Sequence, residues 1–151
     1  MKVSSNDFKP NELMDKKFAY RDKNLSPHIQ WADAPSATKS FALSCNDPDA
    51  PVGNWIHWLI INIPEDVNEI AQGGPVPGEE LTNDYGKKGY GGPAPPSGTH
   101  RYVFKVYALD VEELKGIDKD SFDLKVNDHA LDSAEIIGKY KAWLDFNDSW
   151  K

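Results

Sequence analysis

Asp47, His57 and His100 are the side chains of this sequence whose types and settings could do chemistry together. Each lies at or beside the end of an apolar alternating run, next to a stretch rich in proline or glycine. Two imidazoles brought to one hollow could donate N–H bonds to an anion oxygen. A neighbouring carboxylate would not hold the anion itself. It would hydrogen-bond an imidazole, fix its tautomer and favour its protonated form. Gly91 and Gly92 would let backbone N–H groups approach oxygen closely, and proline rings would give an apolar rim. The chemistry suggested is recognition of a small anion such as a phosphate ester.

Each residue also has a plainer reading. His57 lies in an apolar run, where a histidine is more often a paired core residue than a ligand. His100 could merely cap a loop. Asp47 and Asp49 could be turn formers, because Asp bonds its own following backbone. Tyr85, Tyr90 and Tyr102 read as packing. Ser44, Cys45 and Ser97 are nucleophile-capable, but none sits in a nucleophile-elbow context. No metal-ligand spacing of the H-x-x-x-H or C-x-x-C kind is present. The expectation is therefore a protein that is not an enzyme, with no metal and no cofactor.

The elements that must position these residues are mostly strands. Residues 39–45 alternate, with Phe41, Leu43 and Cys45 on one side, and Asp47 keeps that parity into the stiff turn Asn46-Asp47-Pro48-Asp49-Ala50-Pro51. Residues 55–63 are apolar on both faces, as in a covered central strand, with His57 expected beside Trp55, Leu59, Ile61 and Ile63. Residues 101–109 alternate again, with Tyr102, Phe104, Val106 and Ala108 on one face, and His100 stands at their mouth. Between them residues 73–98 form a long glycine- and proline-rich span carrying Asn83, Asp84 and Tyr85. A loop of that length is functional or disordered, and its aromatics favour order. Short apolar segments in 8–19 suggest edge strands. Asp132 followed by Glu135 resembles a capping box, and Ala134, Ile137, Tyr140 and Leu144 follow helical spacing, which predicts a helix over 133–144. The tail from Asp145 is polar, with two aromatics. The pattern predicts one domain over 1–151, mainly β, an antiparallel sandwich with peripheral helices including a C-terminal one.

Composition narrows the classes. A net charge of −7 without a Lys/Arg block argues against nucleic acid and anionic membrane surfaces as partners. A single cysteine excludes an internal disulfide and suits a reducing compartment. No signal-peptide core opens the chain, and no apolar run approaches the ~20 residues of a spanning helix. A cytoplasmic protein, not integral to a membrane, is expected.

The runs Asp47-Pro48-Asp49-Ala50-Pro51, Trp55-Ile56-His57-Trp58-Leu59 and Gly92-Pro93-Ala94-Pro95-Pro96-Ser97-Gly98-Thr99-His100-Arg101-Tyr102 resemble the phosphatidylethanolamine-binding protein family. Leu25-Ser26-Pro27, Trp31, Pro35 and Ala134-Glu135-Ile136-Ile137-Gly138-Lys139-Tyr140 extend the likeness over about residues 8–140. The compact spacing from the acidic turn to His57 is similar to the bacterial and archaeal branch of Raf kinase inhibitor-like proteins. The resemblance implies Greek-key connections between two sheets and a pocket for phosphate-like anions and phosphorylated headgroups. It implies that Asp47, His57, His100 and Tyr102 line the pocket, that Gly92, Pro93 and Pro95 form its loop wall, and that Asp49 and Trp55 surround it. It also implies a homodimer, and an alternative role as an inhibitor of a kinase or serine protease acting through the Gly/Pro-rich loop. A hydrolase is the least favoured reading.

Overall fold

The computed structural model describes residues 1–142, and its regular structure is almost wholly antiparallel strand. In chain order these are β1 (Lys2–Ser4), β2 (Ile29–Ala32), β3 (Ser40–Asp47), β4 (Trp55–Pro64), β5 (Glu69–Ile70), β6 (Glu79–Glu80), β7 (Thr99–Leu109) and β8 (Ala130–Lys141). A 3-10 turn at Lys16–Phe18 and one helix, α1 (Phe122–His129), complete the described elements. The strands form a small sheet, β1-β2-β5, and a large one, β6-β4-β3-β7-β8. The chain leaves β4 and returns as β7 on the other side of β3, the crossing expected of a Greek key.

The large sheet is buried on both faces. Ile29, Trp31 and Ile70 of the small sheet pack on Phe41, Leu43, Trp58, Phe104 and Val106. On the opposite face Phe122 and Val126 of α1, one helical turn apart, cover Ala42, Leu59, Ile61, Tyr107 and Leu109. The predicted parities of β3 and β7 are therefore the observed ones.

The parity expected of β4 is not. Cys45 pairs with Trp58 and Asn46 with Ile56, so His57 has no partner on β3. The extra residue turns both His57 and Trp58 toward the inter-sheet side, and Leu59 to the other. A second irregularity sets Ala42 against both Ile61 and Asn62. Asn62 takes a left-handed conformation (φ 59°) there, and Ile63 returns to the inter-sheet core. Asn62 also exchanges two bonds with Leu114: its Oδ1 accepts from the backbone N at 2.7 Å, and its Nδ2 donates to the carbonyl at 3.1 Å.

The helix predicted over 133–144 is a strand as far as Lys141, and its far end lies outside the described residues. Burial over β8 has a period of two, with Ile136, Gly138 and Tyr140 inward, and pairing with β7 runs from Thr99↔Lys141 to Leu109↔Ala130. Without β8, β7 would be a long open edge. Asp132 caps no helix; its carboxylate accepts from the N-terminal ammonium at 2.9 Å and from Ser133 N at 2.8 Å. The helix in this part of the chain is α1, immediately before β8. The edge strands expected in 8–19 reduce to a single bridge, Leu13↔Lys139, flanked by Asn11 N to Ile137 O at 2.6 Å and Met14 N to Lys139 O at 2.8 Å. That segment shields the outer edge of β8. The predicted tail from Asp145 lies outside the described residues. Among the described residues no helix is long and apolar enough to cross a membrane.

One ion pair ties the acidic turn to β7. Arg101 donates to Asp49 from Nε (2.9 Å), Nη2 (2.8 Å) and its backbone N (2.9 Å). These bonds hold the Asp49 carboxyl down at about 2, against an ordinary 3.8. Because the folded value is depressed, the contribution to stability is full above 3.8 and is lost as pH falls through about 2. Asp49→Asn should thus lower the denaturation midpoint at neutral pH, and the gap to the parent should close on acidification; a gap that widens in acid would contradict the clasp. For Asn62, thermal unfolding should show Asn62→Gly destabilised by about 2 kcal/mol, for two lost hydrogen bonds. Asn62→Ala should lose about 1 kcal/mol more, for left-handed strain. Equal losses in the two variants would remove the conformational component.

Candidate functional site

β3, β4 and β7 deliver their terminal side chains to one hollow. The antiparallel register that pairs Asn46 with Val103 carries Asp47, one residue on, alongside Tyr102 and His100. The bulge in β4 turns His57 to the same side. The result is a cavity of about 330 Å³ lined by Asp47, Trp55, His57, Pro95, His100 and Tyr102. Asp47, His57 and His100 are buried.

The two imidazoles use the same ring nitrogen for structure. His100 Nδ1 donates to Asp47 Oδ2 at 2.7 Å, while Asp47 Oδ1 accepts from Asp49 N at 2.8 Å. Both Asp47 oxygens are thereby engaged, and the carboxylate acts on His100 as expected of a tautomer-fixing partner. His57 Nδ1 lies 2.6 Å from the carbonyl of Gly91. A carbonyl only accepts, so Nδ1 carries the proton. In both rings Nε2 has no hydrogen-bond partner among the described residues, and both rings line the cavity. Burial pushes the His57 pKa below its ordinary 6.5, against smaller opposing contributions from the Gly91 carbonyl and the Asp47 charge. Neutral His57 is therefore an acceptor toward the cavity, which departs from the expectation of two imidazole donors.

Tyr102 stands behind the pair with its ring 5.1 Å from that of His57, edge to face. Its hydroxyl is buried without a hydrogen-bond partner, and burial together with the Asp47 charge pushes its pKa up. The Cys45 thiol, one turn of the pleat from Asp47, is pushed up by burial and then by that same charge, so it stays a thiol.

The loop wall differs in detail from the one expected. Pro95 lines the cavity, together with Ala94 and Pro96. Gly92 and Pro93 stand behind it. Pro93 faces a neighbouring hollow of about 360 Å³ on the other side of the Ala94–Pro95 wall, with Lys16, Asp22 and Tyr140. The amides of Gly91 and Gly92 are not turned to the cavity. Gly91 N donates to His57 O at 3.0 Å, and Gly92 N donates to Asn24 Oδ1 at 2.7 Å. These residues are glycine because of crowding: a Cβ on Gly91 would meet the Tyr85 ring at 2.4 Å, and one on Gly92 would meet the Phe18 carbonyl at 2.0 Å. Asp49 lies outside the lining, at the turn that orients Asp47.

Several contributors were not anticipated. Tyr85 lines the hollow, stacks on Tyr20 at 4.0 Å and donates its hydroxyl to Gly92 O at 2.8 Å. Tyr20, Arg21 and the Ala50-Pro51-Val52 lip complete the rim, with Val52 78% exposed. The signal for Tyr85 was its place in the long ordered loop; nothing in the sequence marks Tyr20 or Arg21.

A family model described as phosphatidylethanolamine-binding protein matches residues 4–141. A UPF0098 protein of Aquifex aeolicus is 44% identical, covering 93% of this chain and 88% of its own length. The UPF0098 protein YbhB of Escherichia coli is 38% identical, over 93% of this chain and 99% of its own. The crystal structure of Escherichia coli YbcL superposes with a TM-score of 0.87 and 32% identity, covering 93% of this chain and 97% of that one. With nearly all of its described fold accounted for by that match, the chain belongs to the phosphatidylethanolamine-binding protein family.

Proposed function

We propose that this protein binds a small phosphate-like anion or phosphorylated headgroup, without turning it over, in the hollow between Asp47, His57 and His100. The observation that carries the reading is the convergence of two imidazoles on one buried cavity, each with Nδ1 held by the protein and Nε2 without a hydrogen-bond partner among the described residues. Asp47 supplies the counter-charge for an imidazolium at His100, whose Nε2–H then donates a charge-assisted bond to an oxyanion. The apolar rim of Pro51, Pro95 and Trp55 dries the site and strengthens that bond. A non-catalytic role is supported by the chemistry nearby. Ser44 and Cys45 lie on the buried run of β3, the thiol is held protonated, and both Asp47 oxygens are already engaged.

Calorimetric titration with inorganic phosphate and phosphoethanolamine tests the reading. His100→Ala should weaken binding by roughly tenfold or more, for one charge-assisted bond. Asp47→Asn should weaken it in the same direction by withdrawing the counter-charge. Affinity indifferent to both substitutions would remove the site. A screen with chromogenic phosphate and carboxylate esters should show no turnover; turnover abolished by His57→Ala would overturn the non-catalytic reading.

A further inference from the structure

The two histidines differ in what their shared geometry holds. His100 Nδ1 faces a carboxylate, which complements a positive ring, whereas His57 Nδ1 faces the Gly91 carbonyl, which offers a dipole and no charge. A neutral imidazole with its proton fixed on Nδ1 presents a lone pair at Nε2. The other titratable groups around His57 do not reverse this. Asp47 on β3 and Asp84 on the loop favour a positive ring, but the Asp84 oxygens are held by Ile56 N at 2.7 Å and Lys119 Nζ at 2.8 Å. From β7, His100 shares the cavity, as does Arg21 from the N-terminal loop, and each disfavours a second positive ring when charged. The Tyr85 and Tyr102 rings stand nearly perpendicular to that of His57, and burial keeps both hydroxyls protonated. With the His100 ring protonated against Asp47, the cavity pairs a donor at His100 Nε2 with an acceptor at His57 Nε2.

We infer that the pocket selects an oxyanion that still carries a proton: hydrogen phosphate, or a phosphomonoester in its singly charged form. Its P–OH donates to His57 Nε2, and an unprotonated oxygen accepts from His100 Nε2–H. Sulfate and phosphodiesters have no such proton and would set an anionic oxygen against the His57 lone pair. This selectivity rests on the anion-binding reading and goes beyond it, because it separates a free phosphomonoester from an intact diester lipid headgroup. A site that hydrogen-bonds a ligand hydroxyl rejects analogues lacking it far more strongly than an apolar site rejects a missing methylene.

The test is calorimetry with inorganic phosphate, phosphoethanolamine, sulfate and glycerophosphoethanolamine at about pH 6 and about pH 8. At the lower pH the two proton-bearing ligands should bind roughly tenfold or more tighter than sulfate and the diester. For phosphoethanolamine that preference should shrink toward the higher pH, because the second proton of a phosphomonoester leaves near about pH 6, whereas inorganic phosphate keeps a P–OH as hydrogen phosphate and should keep its preference over sulfate. In His57→Gln, whose amide both donates and accepts, binding should persist and the preference should disappear. Equal affinity for phosphate and sulfate in the parent protein, a diester that binds best, or a preference untouched by His57→Gln would each overturn the inference. If His57→Gln does not fold, as judged by circular dichroism, the sulfate and diester titrations of the parent protein decide alone. Absence of binding by all four ligands at both pH values would overturn the anion reading along with this one.

Discussion

His57 has no partner on β3, yet it lies in a strand covered on both faces, where water cannot satisfy a stray backbone group. Gly91 resolves this. Its N–H donates to the His57 carbonyl, and its own carbonyl accepts from the His57 ring. Two bonds between two residues, 34 positions apart, therefore fix the bulge, the imidazole orientation and the tautomer together. They also fix the loop. With Gly91 anchored, Tyr85 reaches the Gly92 carbonyl, Asn24 takes the Gly92 amide, and Tyr20 N takes the Pro93 carbonyl at 3.0 Å. The wall of the cavity is thus hung from the same residue that faces into it. Loosening that pair would disturb ring and wall at once.

The electrostatic division of labour follows from which acceptor each ring meets. Asp47 reaches its position because β3 keeps its parity to its last residue, and the Asp49 amide turns the carboxylate toward His100. Asp49 is itself held by Arg101, the residue after His100, so acid and imidazole are braced from both strands by one ion pair. A carboxylate partner and a carbonyl partner separate the charge preferences of two otherwise similar rings, as paired titratable groups in unlike environments do. The Tyr102 hydroxyl beside them is buried without a partner and adds a further unused polar group to the lining.

Much of this was legible in the sequence, and the parts that were not share a cause. Alternation gave the faces of β3 and β7, and hence Asp47, His100 and Tyr102 on one side, because pleated strands carry their own periodicity. The strand-end position of His57 points to the hollow that it lines, while the bulge breaks the face it is expected to share with Leu59 and Ile61. A bulge is a property of two strands and leaves no mark in one of them. Ala134, Ile137, Tyr140 and Leu144 fit helical spacing and predict a helix over 133–144, where the chain is the strand β8 as far as Lys141. The Ile136, Gly138, Tyr140 alternation wins because β7 needs a partner along its whole length. Gly91 and Gly92 were read as anion-binding amides; glycine serves close packing equally well, and only the neighbours Tyr85 and Phe18 decide between the uses.

The acidity of the chain bears on what such a hollow can hold. At a net charge of −7 the molecule repels anions at long range, so recognition depends on contacts shorter than the screening length of about 8 Å at physiological salt. Among the described residues the basic side chains that line the hollow are few: the His57 and His100 rings and Arg21 at the rim. An oxyanion with no proton would set its charge against a His57 lone pair and an acidic surround, with the Asp47 carboxylate beside the His100 ring. A monoanion that brings its own proton meets a donor where it has an acceptor and an acceptor where it has a donor. The overall field and the local hydrogen-bond pattern therefore favour the same low-charge form, although one arises from composition and the other from a single carbonyl at Gly91.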